Sequence, residues 1–419
     1  MISTYNVFLK TQIYNKYIIT FVFSLVNAFF NFWFFRIALK ELGEDSFYYY
    51  AYSRRIISFI SPVLMMGIGV GLPRYMGVYY KYKRDVSVLL NAGLLIVSIA
   101  SISWALINLT LNEYLTAILW GEVTEFTLLL NLSICLNLIA ISIWGVIHSY
   151  FRGKLMVFIT GILLLTSQSF IPFLGFYFMN SLNAVYNFIS ILLLGVSIII
   201  LIILFRKKRI VPKYKDVIKL LKYGLSRIPG DLSLSLLVFL PSLFAVTFLN
   251  IEYAGIISFA GAILTLCAIP ASAISFNILS RSSFLYLNNK TLLRKEIVKI
   301  IIGGLLYGIF AFAFLSYLLE FIVIWFLDKS LLKHIEIMKY FLIAIPPYVI
   351  FVLLRSVIDG TKIKAYNSVN LIIALLVFVV FGLTALVNNS IYTIIFGIIA
   401  AYFTLGLLSL IRVFKIFNE

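Results

Sequence analysis

Charge is scarce in this chain, and negative charge scarcer still. Only 12% of the 419 residues are charged, and Asp and Glu number 16 against 34 Lys and Arg. With 63% apolar residues and a mean hydropathy of +1.07, too little polar surface is left to cover a water-soluble globule. A soluble enzyme and a nucleic-acid binder are thereby excluded. Cysteine is almost absent: Cys135 and Cys267 both stand inside apolar stretches, so neither a disulfide framework nor a thiolate metal site can be built. The chain has no Gly-x-x-x-x-Gly-Lys-Ser/Thr loop, no His-Glu-x-x-His pair and no carboxylate cluster. Catalytic, metal and cofactor chemistry therefore have no visible site, and a nucleotide-driven pump has none either.

What the chain does have is apolar runs. A helix crossing the bilayer takes about 20 mainly apolar residues, so this length holds roughly a dozen spans and little else. Runs suited to spans lie near 17–39, 47–72, 87–109, 125–148, 156–179 and 184–205, then near 228–248, 254–279, 298–325, 338–358, 367–387 and 391–411. An even number puts both termini on one side. Residues 1–16 lack a short apolar core with a small-residue cleavage site, so the first span is expected to serve as the insertion signal.

The basic residues orient the chain. With these spans about 25 Lys and Arg fall in the N-terminus, the even-numbered connections and the C-terminus, whereas four, Lys40, Lys329, Lys333 and Lys339, fall on the other side. Short basic loops stay cytoplasmic, so both termini are expected inside. The net charge of +18 is first of all a topology signal.

A shift of about 206 residues aligns several landmarks. Lys16-Tyr17 meets Lys222-Tyr223, Arg74 falls beside Arg281, Gly153 meets Gly360, and Arg206 meets Arg412. Two parallel six-helix repeats follow, related by an axis along the membrane normal. The expected architecture is an all-α membrane protein of twelve transmembrane helices, with lobes at 1–205 and 223–419 and a basic cytoplasmic linker at 206–222. In that linker Val217, Ile218, Leu220 and Leu221 alternate with lysines, which suits either an interfacial amphipathic helix or a plain linker with snorkelling lysines.

The run from Leu42 to Phe47 (LGEDSF) leads into Gly67–Tyr75 (GIGVGLPRY), and Tyr223–Asp231 (YGLSRIPGD) follows in the second half. In order and spacing these segments resemble the Wzx-type polysaccharide flippases, of the superfamily that also holds the multidrug and toxin extruders. The resemblance covers nearly the whole chain. It implies a bacterial inner-membrane flippase, not an enzyme, that moves an undecaprenyl-diphosphate-linked oligosaccharide to the periplasmic leaflet for O-antigen synthesis. Membrane lipids and other polysaccharide assembly proteins would be its partners. A cation-coupled drug extruder of the same superfamily is the alternative, although the first span lacks the acidic residue that cation exchange favours. A polytopic polymerase or glycosyltransferase is a third reading, against which stand outer connections of only about 15 residues.

Such cargo demands cations within the bilayer. An arginine at mid-membrane costs about 2.5–3.5 kcal/mol on insertion scales and so tends to face a cavity or a partner. Arg36, Arg54, Arg55, Arg227 and Arg355 are the candidates, with His148 beside them. Arg54 and Arg55 point about 100° apart on a helix, so at most one faces a cavity squarely; the other snorkels. Arg227 and Asp231 stand four apart and can pair, either as a structural pair or with Asp231 as a coupling site. Pro62, Pro229, Pro241, Pro270 and Pro346-Pro347 are expected to kink their spans. Gly67-x-x-x-Gly71 and Gly304-x-x-x-Gly308 read as close packing sites, and Tyr48, Tyr49, Tyr50 and Tyr52 as an outer aromatic belt. Reporter fusions at Lys213 and Glu419 test the orientation. Both should be active only as cytoplasmic reporters; a periplasmic signal at either would overturn the two-lobe reading.

Overall fold

A backbone that crosses hydrocarbon must satisfy its own amides and carbonyls, and a helix does so within one segment. In the computed structural model, residues 2–81, 85–154, 156–206, 212, 214–225, 228–361, 366–388 and 390–418 are described, and among them no strand occurs. The helices in the first half are α1 (Ile2–Leu42), α2 (Glu44–Met65), α3 (Ile68–Lys81), α4 (Ser87–Thr110), α5 (Asn112–Trp120), α6 (Glu125–Gly153), α7 (Val157–Leu165), α8 (Ile171–Phe178), α9 (Leu182–Phe205) and α10 (Tyr214–Leu225). Those in the second half are α11 (Ile228–Phe248), α12 (Ile251–Cys267), α13 (Ile269–Asn288), α14 (Lys290–Phe326), α15 (Ile335–Leu342), α16 (Ile345–Thr361), α17 (Tyr366–Asn388) and α18 (Ile391–Asn418).

Among the described residues nine helical stretches are long and apolar enough to cross a membrane, and two bent pairs bring the number to 11. The shorter apolar helix α12 stands where the remaining expected span begins. One bent pair is α2 with α3, turned by 43°; the other joins Lys329–Leu342 to α16 at 45°. Proline alone does not place the first break. Pro62 lies inside α2, and the helix stops four residues later, where Met66 (φ 46) and Gly67 (φ 69) adopt the left-handed conformation. The second break immediately precedes Pro346-Pro347, and proline favours the start of a helix because it has no amide to leave unpaired. A five-residue π-helical stretch, Thr166–Phe170, interrupts the span between α7 and α8.

Helix starts follow ordinary capping chemistry. The Thr124 hydroxyl accepts the Thr127 amide while the Thr127 side chain returns to the Thr124 amide. Ser181, Asn250 and Asn289 accept the amides of Ala184, Tyr253 and Leu292. The chain forms two compact units, Met1–Ser46 with Ile56–Pro229 and Phe47–Arg55 with Gly230–Glu419. The helix α2 is therefore shared out: Phe47–Arg55 belongs with the second unit and the rest with the first.

In the first unit Ile68, Leu72, Met76, Leu89, Ile96, Val146 and Leu220 build a buried cluster. In the second, Ile297, Ile301, Ile350, Leu354, Val357 and Val413 do the same. Large apolar side chains also stand outward, among them Ile99, Ile102 and Leu106 on α4, Ile199 and Ile203 on α9, and Leu306, Phe310 and Phe321 on α14. Exposed apolar rows of this extent suit lipid and would be a liability in water.

The small-residue motifs pack as expected. A β-carbon on Gly304 would meet Leu353 Cδ1 at 2.5 Å, one on Gly308 would meet Pro346 Cα at 2.8 Å, and one on Gly71 would meet Tyr223 Cδ1 at 3.1 Å. The tyrosine run does not form an outer belt. Tyr48, Tyr50 and Tyr52 are buried, Tyr52 stacking on Phe239 with centroids 6.2 Å apart. Tyrosines at 48, 50 and 52 spread round most of a helical turn, and the second unit encloses that part of α2.

Gly303 and Gly308 give an internally controlled test, because nothing lies within 4 Å of a β-carbon at Gly303. Gly308→Ala should lower the apparent melting temperature in detergent, at a cost of about 1–3 kcal/mol for overpacking against backbone. Gly303→Ala should leave it unchanged or raise it, as alanine is the better helix former. Equal effects would show that α14 does not lie this close to Pro346.

Candidate functional site

Two polar clusters stand inside the second unit. The first surrounds Arg55. This side chain is 8% exposed, and its Nη2 donates to the backbone carbonyl of Ser258 on α12. The Ser258 hydroxyl lies 2.9 Å from that of Ser242 on α11. The phenols of Tyr348 on α16 and Tyr402 on α18 stand close enough to interact electrostatically with the guanidinium, and their rings meet edge to face at 5.1 Å. Gly261, one turn after Ser258, makes the room: a β-carbon there would come within 2.9 Å of Nη2. No carboxylate among the described residues pairs with Arg55, so its charge is compensated by a carbonyl and by neutral phenols. A cavity of about 10 Å³ beside Gly261, Pro241, Phe341 and Tyr402 has room for about one water. The site is thus packed around its cation.

The second cluster joins α11, α16 and α17. Arg355 Nη2 lies 3.6 Å from Asp231 Oδ1 and its Nε 4.0 Å from Asp359 Oδ2. Asn367 Nδ2 donates to Asp359 Oδ1 at 2.7 Å and to the Arg355 carbonyl at 2.9 Å. Gly230 brings α11 close to α17, since a β-carbon there would collide with the Ser368 side chain. With one guanidinium against two carboxylates the triad carries a formal charge of −1, from +1 and two of −1. Arg355 is therefore a neutralised cation. Tyr348 interacts electrostatically with both Arg355 and Arg55, which links the two clusters through one phenol.

The other sequence candidates are placed apart from these. Arg54 is half-buried, its guanidinium 5.8 Å from the centroid of the Tyr50 ring, so the adjacent arginines do diverge, with Arg55 turned inward. Arg227 lies outside the described residues, and with it the expected Arg227–Asp231 pair; Asp231 faces Arg355. In the first unit Arg36 on α1 is half-buried, with its Cζ 5.5 Å from the Trp33 ring. His148 on α6 is half-buried, Arg152 one turn on is exposed, and Trp144 donates to the Leu163 carbonyl at 3.2 Å. Tyr348, Tyr402, Ser258 and Asn367 were missed by sequence reasoning. A tyrosine or serine in an apolar run carries no signal by itself, and only their shared approach to two arginines singles them out.

Nine to 11 candidate spans among the described residues, in two compact units, make this a polytopic helical membrane fold. No protein-family description and no curated protein sequence matches the chain at a significant level. Solved structures do. An inward-facing conformation of a multidrug resistance MATE family transporter of the MOP superfamily matches with a TM-score of 0.76 at 14% identity, over 93% of this chain and 94% of that one. An outward-facing conformation of a multidrug resistance MATE family transporter of that superfamily matches with a TM-score of 0.69 at 14% identity, over 96% and 94%. A MATE protein in complex with MaL6 gives 0.68 at 14% identity, over 96% and 94%. The chain has the MATE transporter fold: two lobes, about 12 helices and no strand among the described residues.

The Arg355 cluster makes a measurable claim. Because Arg355 and Asp231 are 36% and 39% exposed, solvent screens their attraction, and a double-mutant cycle with Arg355→Gln and Asp231→Asn should give a coupling of at most about 1 kcal/mol in apparent stability. Strictly additive effects would show that the two side chains do not interact in the folded protein.

Proposed function

We propose that this chain is an alternating-access membrane transporter whose cargo is an anionic amphiphile, an undecaprenyl-diphosphate-linked oligosaccharide moved across a bacterial inner membrane. The fold supports the transporter reading, and the observation that carries the anionic cargo is Arg55. A guanidinium held within a span and met, among the described residues, by neutral groups keeps a positive field inside its lobe, and anions are drawn to such a field. Arg36 and Arg54 add positive charge along α1 and α2. His148 is a further candidate for the cargo's path, and polysaccharide assembly proteins and membrane lipids are the partners this reading implies. Both termini would then face the cytoplasm, as the lysine distribution favours.

A second reading has its own support. The solved structures of the same fold are named as multidrug transporters, which favours an extruder at least as strongly as a flippase. The Asp231–Arg355–Asp359 cluster agrees with it, because a cluster with one carboxylate in excess can exchange a proton or another cation. On either reading Asp231 is the coupling candidate.

Deletion of the gene separates these. The flippase reading expects loss of surface polysaccharide and accumulation of lipid-linked repeat units on the inner leaflet. Unchanged polysaccharide with raised sensitivity to lipophilic cations would establish the extruder instead, and single repeat units on the cell surface would indicate a polymerase.

A further inference from the structure

Between the two repeats the chain carries its densest positive charge. Arg206, Lys207, Lys208, Arg209, Lys213, Lys215, Lys219 and Lys222 are opposed there by Asp216 alone. The described part of this segment, α10, is sharply two-faced. Leu220 and Gly224 are buried, and Val217 and Leu221 pack on the cluster of α3 and α4. The opposite face presents Lys215, Lys219 and Lys222 to the outside, with Tyr214, Ile218 and Leu225 exposed between them. Lysines mixed with an aromatic and branched apolar residues on one exposed face match the boundary between lipid headgroups and acyl chains, where apolar groups dip in and lysines stay at the anionic layer. A purely solvated face would not need the apolar members.

The inner face of α10 sits on the break of the second span. Gly224 and Gly67 meet backbone to backbone. A β-carbon on Gly67 would lie 2.5 Å from Gly224 Cα, and one on Gly224 would collide with the Met66 carbonyl oxygen. Met66 and Gly67 are the two residues whose left-handed backbone ends α2 and begins the 43° bend into α3. Three further contacts fix α10 to α3: Tyr79 donates to Asp216, Arg74 donates to the Tyr223 hydroxyl at 3.1 Å, and Lys219 Nζ lies 4.7 Å from the Tyr75 ring. The helix cannot move far without moving the break, since neither glycine has slack.

We propose that α10 is a binding surface for anionic phospholipid headgroups, and that its seat on Met66–Gly67 couples the lipid bound there to the bend of the second span. Lys215 and Lys222 hold the headgroups; Gly224 transmits the position of the helix to Gly67. Lipid composition thereby sets the angle between α2 and α3 in the first unit. The proposal stands whether the cargo is a lipid-linked sugar or a drug.

The test uses the full chain in nanodiscs of phosphatidylcholine, alone or with one third of the lipid replaced by phosphatidylglycerol. Both native cysteines are buried, so introduced ones can be labelled selectively. An environment-sensitive fluorophore on Tyr214→Cys reports headgroup contact, and spin labels on Ser58→Cys and Val70→Cys, exposed positions either side of the break, report the bend. Phosphatidylglycerol should blue-shift the fluorophore and change the label spacing together, high salt should reverse both, and Lys215→Gln with Lys222→Gln should abolish both in protein of normal abundance. Identical emission in the two lipids, whether the fluorophore is buried or not, would overturn the anionic surface. Shifted emission with unchanged spacing would overturn the coupling to the break.

Discussion

A positive charge enclosed within a bilayer-spanning lobe must find substitutes for the water it has lost, and in this protein the substitutes come from three other helices at once. Arg55 on α2 reaches the Ser258 carbonyl of α12 and the neighbourhood of phenols on α16 and α18. Leaving such a group unsolvated would cost several kcal/mol, so the elements around it are held to one arrangement. Gly261 is small because Nη2 passes there. The stretch Phe47–Arg55 of α2 belongs with the second unit, and the residue that ends it is Arg55 itself. Tyr348 then extends the same network to Arg355 and its two carboxylates.

The two clusters answer the same constraint in opposite ways. Around Arg55 the compensation is neutral and the charge persists as a field. Around Arg355 it is ionic, through Asp231 and Asp359.

The spans were legible because hydrocarbon tolerates few alternatives: each apolar run near the expected bounds has a helix in its place, from Phe21–Leu42 to Ile391–Ile416. Gly304 and Gly308 were legible as packing sites for the same reason, since small residues four apart in an apolar run have few other uses. Local detail was not. Tyr48, Tyr50 and Tyr52 read as a belt because tyrosine favours interfaces, yet the second unit buries them. Their burial depends on residues some 200 positions distant, which no local pattern reveals. Helical spacing offers Asp231 a partner in Arg227, which lies outside the described residues, but gives no sign of Arg355, 124 residues further on, which Asp231 also faces. Helical register names neighbours within a helix and is silent about neighbours across helices.

Whether the charge kept inside this protein selects an anionic guest can be read from binding to the purified chain in detergent, by following the apparent melting temperature while undecaprenyl diphosphate or tetraphenylphosphonium, a lipophilic cation, is titrated. The lipid diphosphate should stabilise the protein, increasingly with concentration as ligand linkage requires, and the cation should do so little or not at all. Stabilisation by tetraphenylphosphonium with none by the diphosphate would rule out the anionic guest and favour an extruder.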